Sequence, residues 1–143
     1  MVIRCYLLVC ALFWSLAALG AEHVPLFVLH SYSQEYPWTQ RQHEGFMDTL
    51  SREGTWQVTP SVEYLDTKRV GYDAAYAARM AGHLAWKYRG YRPAAIYVTD
   101  DNALDFATRH LTRLFPQAPV FFSGVNNLQL RDSLDSRRVT GVY

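Results

Sequence analysis

The sequence predicts an α/β fold with an open parallel sheet, strand order 2-1-3-4(-5), and helices on both faces. Two observations lead to this prediction. Short apolar stretches alternate along the chain with longer segments whose apolar residues recur with helical spacing, which is typical of strands followed by helices. Three of the apolar stretches end in small, amide and carboxylate residues, as parallel strands commonly do at the sheet edge where ligands bind.

The first half of the chain is predicted to form two strands and two helices. Strand one covers residues 24–29, an apolar run that suits a strand buried on both faces. Helix one starts at Pro37, because the first helical position does not need an N–H. Strand two covers residues 57–65, and Pro60 within it confines the strand to an edge of the sheet. The alanine-rich periodic segment 74–88 forms helix two.

The second half is predicted to add strands at residues 94–99, 119–122 and 138–143, with helix three ending before Pro116. A weakly patterned segment at 128–134 is predicted to be helical. Because strand two lies at an edge and crossovers between parallel strands are right-handed, the order 2-1-3-4 follows. The direction of winding then reverses between strands one and three, which places a binding crevice at that point.

The composition is that of one globular domain without a polyanionic partner. The chain has 143 residues, 50% of them hydrophobic, and its 14 basic and 13 acidic residues are interspersed. No nucleic-acid partner is therefore expected. No cofactor is expected either, because the glycine-rich phosphate-binding motifs do not occur. His43, His83 and His110 fall on three predicted helices without the spacing of a metal site, so we expect no metal.

Residues 1–21 are predicted to be a secretory signal peptide. Arg4 is the only charged residue in this stretch, an apolar core follows it, and small residues at positions 18 and 20 suit a cleavage site. The alternative is an N-terminal membrane anchor over residues 4–21, since the apolar stretch is close to the minimum length for spanning a bilayer. In either case residues 22–143 are expected to lie in the periplasm, free or tethered to the inner membrane.

The polar and aromatic residues that follow the strands are the candidate ligand-binding residues. They are His30, Ser31, Tyr32, Tyr36, Trp38, Asp100, Asp101, Asn102, Ser123, Gly124, Asn126 and Asn127. Carboxylate and amide groups can hold an amine or hydroxyl, and aromatic faces can stack on a planar ligand. Each cluster also has a structural alternative. Asp100 or Asp101 can cap helix three, the Gly-Asn run can be a plain turn, and Trp38 can pack under helix one.

A second interpretation of the same residues is a small exported α/β hydrolase-like enzyme. Asp100 would orient His30, and Ser31 or Ser123 would be the nucleophile. No G-x-S-x-G elbow accompanies these residues, so we expect no enzymatic activity. A third interpretation is a truncated remnant without function.

Three blocks of sequence occur in a characteristic order. They are V-L-H-S-Y at 28–32 with Y-P-W-T at 36–39, V-T-D-D-N-A-L-D at 98–105, and F-S-G-V-N-N at 122–127 with V-T-G-V at 139–142. Together they resemble the first lobe of the ABC-transporter substrate-binding-like periplasmic proteins. The same lobe is similar to extracytoplasmic sensor regions of some bacterial histidine kinases and diguanylate cyclases.

The resemblance implies a type I periplasmic-binding fold, in which two α/β lobes joined by a hinge hold a small organic solute. Residues 22–143 would be the N-terminal lobe, truncated before the second. The residues that it places on one wall of the cleft are His30, Ser31, Tyr32, Asp100, Asp101, Ser123, Asn126 and Asn127. The partner would be an ABC permease for an importer, or a C-terminal kinase or cyclase output module for a membrane sensor.

The residue types in the clusters favour a planar solute with amine, hydroxyl or amide groups, such as an amino acid. No arginine lies inside the three clusters to bind a carboxylate, so the cleft edge is expected to be neutral to acidic. Arg41 on helix one is the exception that could change this expectation. The function expected from the sequence is a non-enzymatic, extracytoplasmic lobe that binds a small solute.

Overall fold

Five parallel strands form one sheet in the order β2-β1-β3-β4-β5, as predicted. The computed structural model describes residues 23–54 and 56–143, so the predicted signal or anchor lies outside the described residues. The strands are β1 (His23–His30), β2 (Gln57–Tyr64), β3 (Ala95–Thr99), β4 (Val120–Ser123) and β5 (Val139–Gly141). The helices are α1 (Pro37–Glu53), α2 (Ala74–Lys87), α3 (Asp100–Phe106) and α4 (Thr112–Leu114). A π-helical segment, Ala107–Leu111, joins α3 to α4, and a 3-10 helix covers Leu128–Ser133.

The register of the sheet brings the ends of four strands level. His30 is opposite Tyr64 of β2 and opposite Thr99 of β3, and Thr99 is opposite Ser123 of β4. The segments that follow these strands therefore start from one rim of the sheet, the carboxyl edge.

The main hydrophobic core lies on the face of the sheet covered by α2 and α3. Phe27 and Leu29 of β1 point to this face, where they belong to one buried cluster with Leu84 of α2 and Leu104 of α3. Alternate residues of β1, such as Val28, point to the other face and are also buried. The continuous apolar run of β1 is thus explained by burial on both faces.

Helix α1 covers the opposite face with a smaller contact. The ring of Phe46 stacks on that of Tyr97, with centroids 3.7 Å apart, and Leu50 packs against the same cluster. Beside α1 an apolar groove of about 580 Å³ is bordered by two exposed aromatic side chains, Trp56 and Phe121. No helix among the described residues has both the length and the apolarity needed to cross a bilayer.

The interpretation of Trp38 as a core residue under α1 is wrong. Its side chain is 44% exposed, and its indole N–H donates to Asp100 at the carboxyl edge. The reason is its position in the first turn of α1, which begins at the rim of the sheet and not above its centre. The buried residue of α1 is Thr39.

Candidate ligand-binding site

The segments that follow β1, β3 and β4 meet at the carboxyl edge of the sheet. Trp38 Nε1, after β1, donates to Asp100 Oδ1, after β3, at 2.9 Å. The backbone N–H of Asn126, after β4, donates to Asp101 Oδ1, also at 2.9 Å. The three polar clusters of the sequence therefore form one site.

Asp100 is the central residue of this site. Its φ angle is 67°, and Asp66 is the other non-glycine residue with a positive φ in the described part of the chain. Its side chain is buried, and its two oxygens accept hydrogen bonds from Trp38 and from Gln42 Nε2 at 3.3 Å. Burial raises the pKa of Asp100, although the Trp38 hydrogen bond opposes this effect. A buried carboxylate on a strained backbone is typical of a functional position.

Gln42 links Asp100 to β4 through a chain of hydrogen bonds. The Tyr97 hydroxyl and Ser123 Oγ are 2.6 Å apart, and Ser123 Oγ donates to Gln42 Oε1 at 2.7 Å. Gly124 has φ 68°, and a Cβ there would lie 2.8 Å from Gln42 Nε2. Glycine at position 124 thus permits both the backbone conformation and the close approach of the Gln42 amide.

Asp101 shapes the loop that follows β4. Its Oδ1 accepts the backbone N–H groups of Asn126 and Asn127, both at 2.9 Å. Asn127 in turn accepts the N–H of Gln129 through its side chain. The carboxylate of Asp101 is therefore already engaged by the protein, and its main contact is with the loop that carries Asn126.

Ser31, and not an aspartate, caps helix α3. Ser31 Oγ accepts the N–H of Ala103 at 2.8 Å and donates to the carbonyl of Thr99 at 2.8 Å. The prediction that Asp100 or Asp101 caps this helix is wrong, because the fully buried Ser31 hydroxyl already holds the first-turn N–H.

His30 is fully buried and hydrogen-bonded through both ring nitrogens. Nδ1 contacts Thr99 Oγ1 at 2.9 Å, and Nε2 contacts Nδ1 of His43 at 3.1 Å. Its ring also stacks on Tyr64. Burial lowers the pKa of His30 to about 4, with a further contribution from His43. The imidazole is therefore neutral near pH 7 and joins α1 to the sheet.

A pocket of about 440 Å³ opens at this edge. It is lined by Tyr32, Tyr36, Pro37, Trp38, Arg41, Lys68, Asp100 and Asn126. The rings of Tyr32 and Tyr36 meet edge to face with centroids 5.2 Å apart. Aromatic faces beside a buried carboxylate can hold a flat, amine-bearing molecule.

The remaining predicted contacts do not line the pocket. His30 and Ser31 are buried, Ser123 and Gly124 contact Gln42, and Asn102 Nδ2 donates to Thr67 Oγ1 at 2.9 Å. Their assignment as ligand contacts stays a prediction. In this structure their hydrogen bonds join the segments after the strands to one another and to α1.

The expectation of a neutral to acidic cleft edge is corrected by two cations in the lining. Arg41 projects from α1, and Lys68 comes from the loop after β2. Lys68 is not among the residues predicted from the sequence, because it follows β2, whereas the polar clusters follow β1, β3 and β4. No sequence motif connects Lys68 with Tyr32 and Tyr36, because they are distant from it in the chain.

A comparison with solved structures finds this fold in a ligand-bound protein. The match is the crystal structure of the ABC domain in complex with L-Trp from Streptococcus pneumonia, with a TM-score of 0.59 and 19% sequence identity. At this level of identity the likeness is one of fold. The aligned region covers 85% of this chain and 38% of that protein, so the chain spans well under half of its length. No protein-family model matches the chain, and neither does any curated protein.

Proposed function

We propose that this chain is an extracytoplasmic lobe that binds a small organic solute without transforming it. The observation that carries the proposal is the pocket at the carboxyl edge, which three aromatic side chains line together with a buried carboxylate. Asp100 has no Lys, Arg or His partner within ion-pair distance among the residues that the structure describes. An amine on the ligand would supply the missing positive charge.

The hydrogen bonds of His30 and Ser31 favour binding over hydrolysis. A nucleophilic serine needs a free hydroxyl beside a general base, whereas Ser31 Oγ is buried between Ala103 and Thr99. His30 directs its ring nitrogens to Thr99 and His43, so neither nitrogen contacts a serine hydroxyl or Asp100. These contacts support a structural role for both residues.

A planar ligand with an amino group suits the pocket best. Trp38 is the most exposed of the three aromatic side chains, so its ring is available for stacking. Its N–H holds Asp100 in place, so the same residue orients the carboxylate. The structural neighbour contains L-Trp, which supports an amino acid as the first ligand to test.

The lobe would act as one half of a binding protein. In such proteins a second lobe closes over the solute, and closure is favoured by the higher affinity of the closed state. Export to the periplasm, and an ABC permease or a kinase or cyclase module as partner, are parts of this proposal. Sequencing the encoding DNA beyond Tyr143 tests which partner the lobe has. A second lobe followed by a membrane-spanning helix would support a sensor, and a second lobe without that helix would support an importer.

The binding proposal is tested by a thermal-shift screen of the chain against amino acids, purines and polyamines. A solute that binds only the folded state raises the melting temperature by mass action, and the increase grows with the solute concentration relative to its Kd. We expect an aromatic amino acid to raise it, and Asp100→Asn to abolish the increase. Asp48→Asn is the matched control, since Asp48 lies exposed on α1 away from the pocket lining. Equal increases in both variants, or none with any solute, would contradict the proposal.

A further inference from the structure

We infer that the loop after β2, residues 66–70, is a fourth segment of the binding site beside those after β1, β3 and β4, and that its Lys68 recognises an anionic group of the ligand together with Arg41. The inference rests on the proposed function and adds to it the residues that would bind the carboxylate of the ligand. The solute is a zwitterion, with its ammonium group near Asp100 and its carboxylate near Lys68. This loop was absent from the sequence-based set of ligand contacts.

The loop is fixed to the site by hydrogen bonds on both sides. The backbone N–H and the side-chain hydroxyl of Thr67 both donate to the carbonyl of Ser31 at 2.9 Å. Asn102 Nδ2 donates to the same Thr67 hydroxyl. Asp66 has φ 51°, so the loop leaves β2 through a strained residue. Position 68 is therefore set by contacts with the segments after β1 and β3, which also form the pocket.

Lys68 lies against the aromatic part of the pocket. Its Nζ is 4.7 Å from the ring centroid of Tyr32 and 5.6 Å from that of Tyr36. These contacts orient the ammonium group without neutralising its charge or using its three N–H donors. Arg69, the next residue, pairs with Asp66 and Glu35, whereas Lys68 has no carboxylate partner among the described residues.

Arg41 adds a second cation without an acidic partner in the described part of the chain. It lies in α1, one residue before the Gln42 that holds Asp100. The pocket lining thus has two cations and one carboxylate. A ligand with only an amine would meet uncompensated positive charge, and a zwitterion would pair with both signs.

The test uses three indole compounds that differ only in their charged groups. L-Tryptophan has both groups, tryptamine lacks the carboxylate, and indole-3-propionate lacks the amine. Dissociation constants are measured from two-dimensional ¹H–¹⁵N NMR titrations of the full chain, which detect weak binding by a single lobe. We expect L-tryptophan to bind more tightly than either analogue.

The variants separate the carboxylate contact from the rest of the site. Lys68→Gln should weaken L-tryptophan about fivefold, as for an exposed ion pair, and leave tryptamine unchanged or slightly tighter. Arg79→Gln is the matched control, because Arg79 is an exposed cation of α2 outside the pocket lining. Because Lys68 is exposed, we expect its variant to fold, and the ¹H–¹⁵N spectrum shows directly whether it does.

The outcomes distinguish this inference from the proposed function. If L-tryptophan and tryptamine bind equally well and Lys68→Gln changes neither, a role of the loop after β2 in ligand recognition is refuted while solute binding stands. If none of the three compounds shifts any signal, both the zwitterion class and the proposed amino-acid site are refuted.

Discussion

Replacing His30 by glutamine tests whether a buried neutral imidazole stabilises the junction between β1, β3 and α1. The ring is fully buried, and its neighbours are Thr99, His43 and Tyr64. Its pKa is lowered from 6.5 to about 4, first by burial and then by His43. When His43 Nδ1–H donates to His30 Nε2, protonation of His30 would put a second N–H group in the same contact, so that two donors would face each other.

The expected magnitude follows from linkage between protonation and folding. A base whose pKa falls from 6.5 to about 4 on folding binds its proton more readily in the unfolded chain. Its contribution, about 3 kcal/mol, is complete above pH 6.5 and is lost as the pH falls through the folded value near 4. Within this interval the free energy of unfolding should decrease by about 1.4 kcal/mol for each pH unit because of His30.

Urea unfolding of the wild type and of His30→Gln, measured at several pH values in this interval, checks the prediction. The difference between the two curves cancels other titrating groups, such as Asp100. As the pH falls, we expect the free energy of unfolding of the wild type to decrease more steeply than that of His30→Gln. The difference in slope should be that of one bound proton, about 1.4 kcal/mol for each pH unit. An NMR titration of the His30 ring in the wild type is a second readout that does not need the variant to fold. Parallel stability curves, or a ring that titrates near 6.5, would refute the reasoning.

Three further substitutions test the site. Gly124→Ala should lower the free energy of unfolding by about 2 kcal/mol, since a side chain there is strained at positive φ and meets Gln42. Urea unfolding measures this change, and an unchanged midpoint would contradict the close approach of Gln42 to position 124. Trp38→Phe removes the N–H that holds Asp100, so ligand affinity should fall about tenfold; an NMR titration checks this, and full affinity would show that the ring alone matters. Ser31→Ala leaves the N–H of Ala103 in the first turn of α3 without its acceptor and should lower the free energy of unfolding by about 1 kcal/mol. Thermal denaturation checks this, and an unchanged melting temperature would contradict the assignment of Ser31 as the cap.

The sheet and the rim could be predicted from the sequence because they depend on local patterns. The apolar run of β1 is continuous, Pro60 marks the edge strand, and the order of the strands follows from right-handed crossovers. The loops after β1, β3 and β4 then had to start from one edge. The boundaries moved by a few residues at most; His30, for example, ends β1 instead of following it.

The contacts within the site could not be predicted in the same way. Which acid faces the pocket depends on the positive φ of Asp100, and a pattern that fits both a cap and a site does not encode that angle. Gln42 reaches Asp100 because of the rotation of α1 about its axis. Lys68 reaches Tyr32 from a turn in which Asp66 has a positive φ and accepts the N–H groups of Arg69 and Val70. Each of these depends on tertiary geometry and not on residue spacing.

The central claim, that the carboxyl edge binds a small solute, is tested most directly by mapping amide signals during titration with L-tryptophan. The largest shifts are expected at Tyr32, Trp38, Lys68, Asp100 and Asn126, which all line the same pocket. Shifts concentrated instead around the apolar groove beside α1, or an unchanged spectrum, would contradict the account.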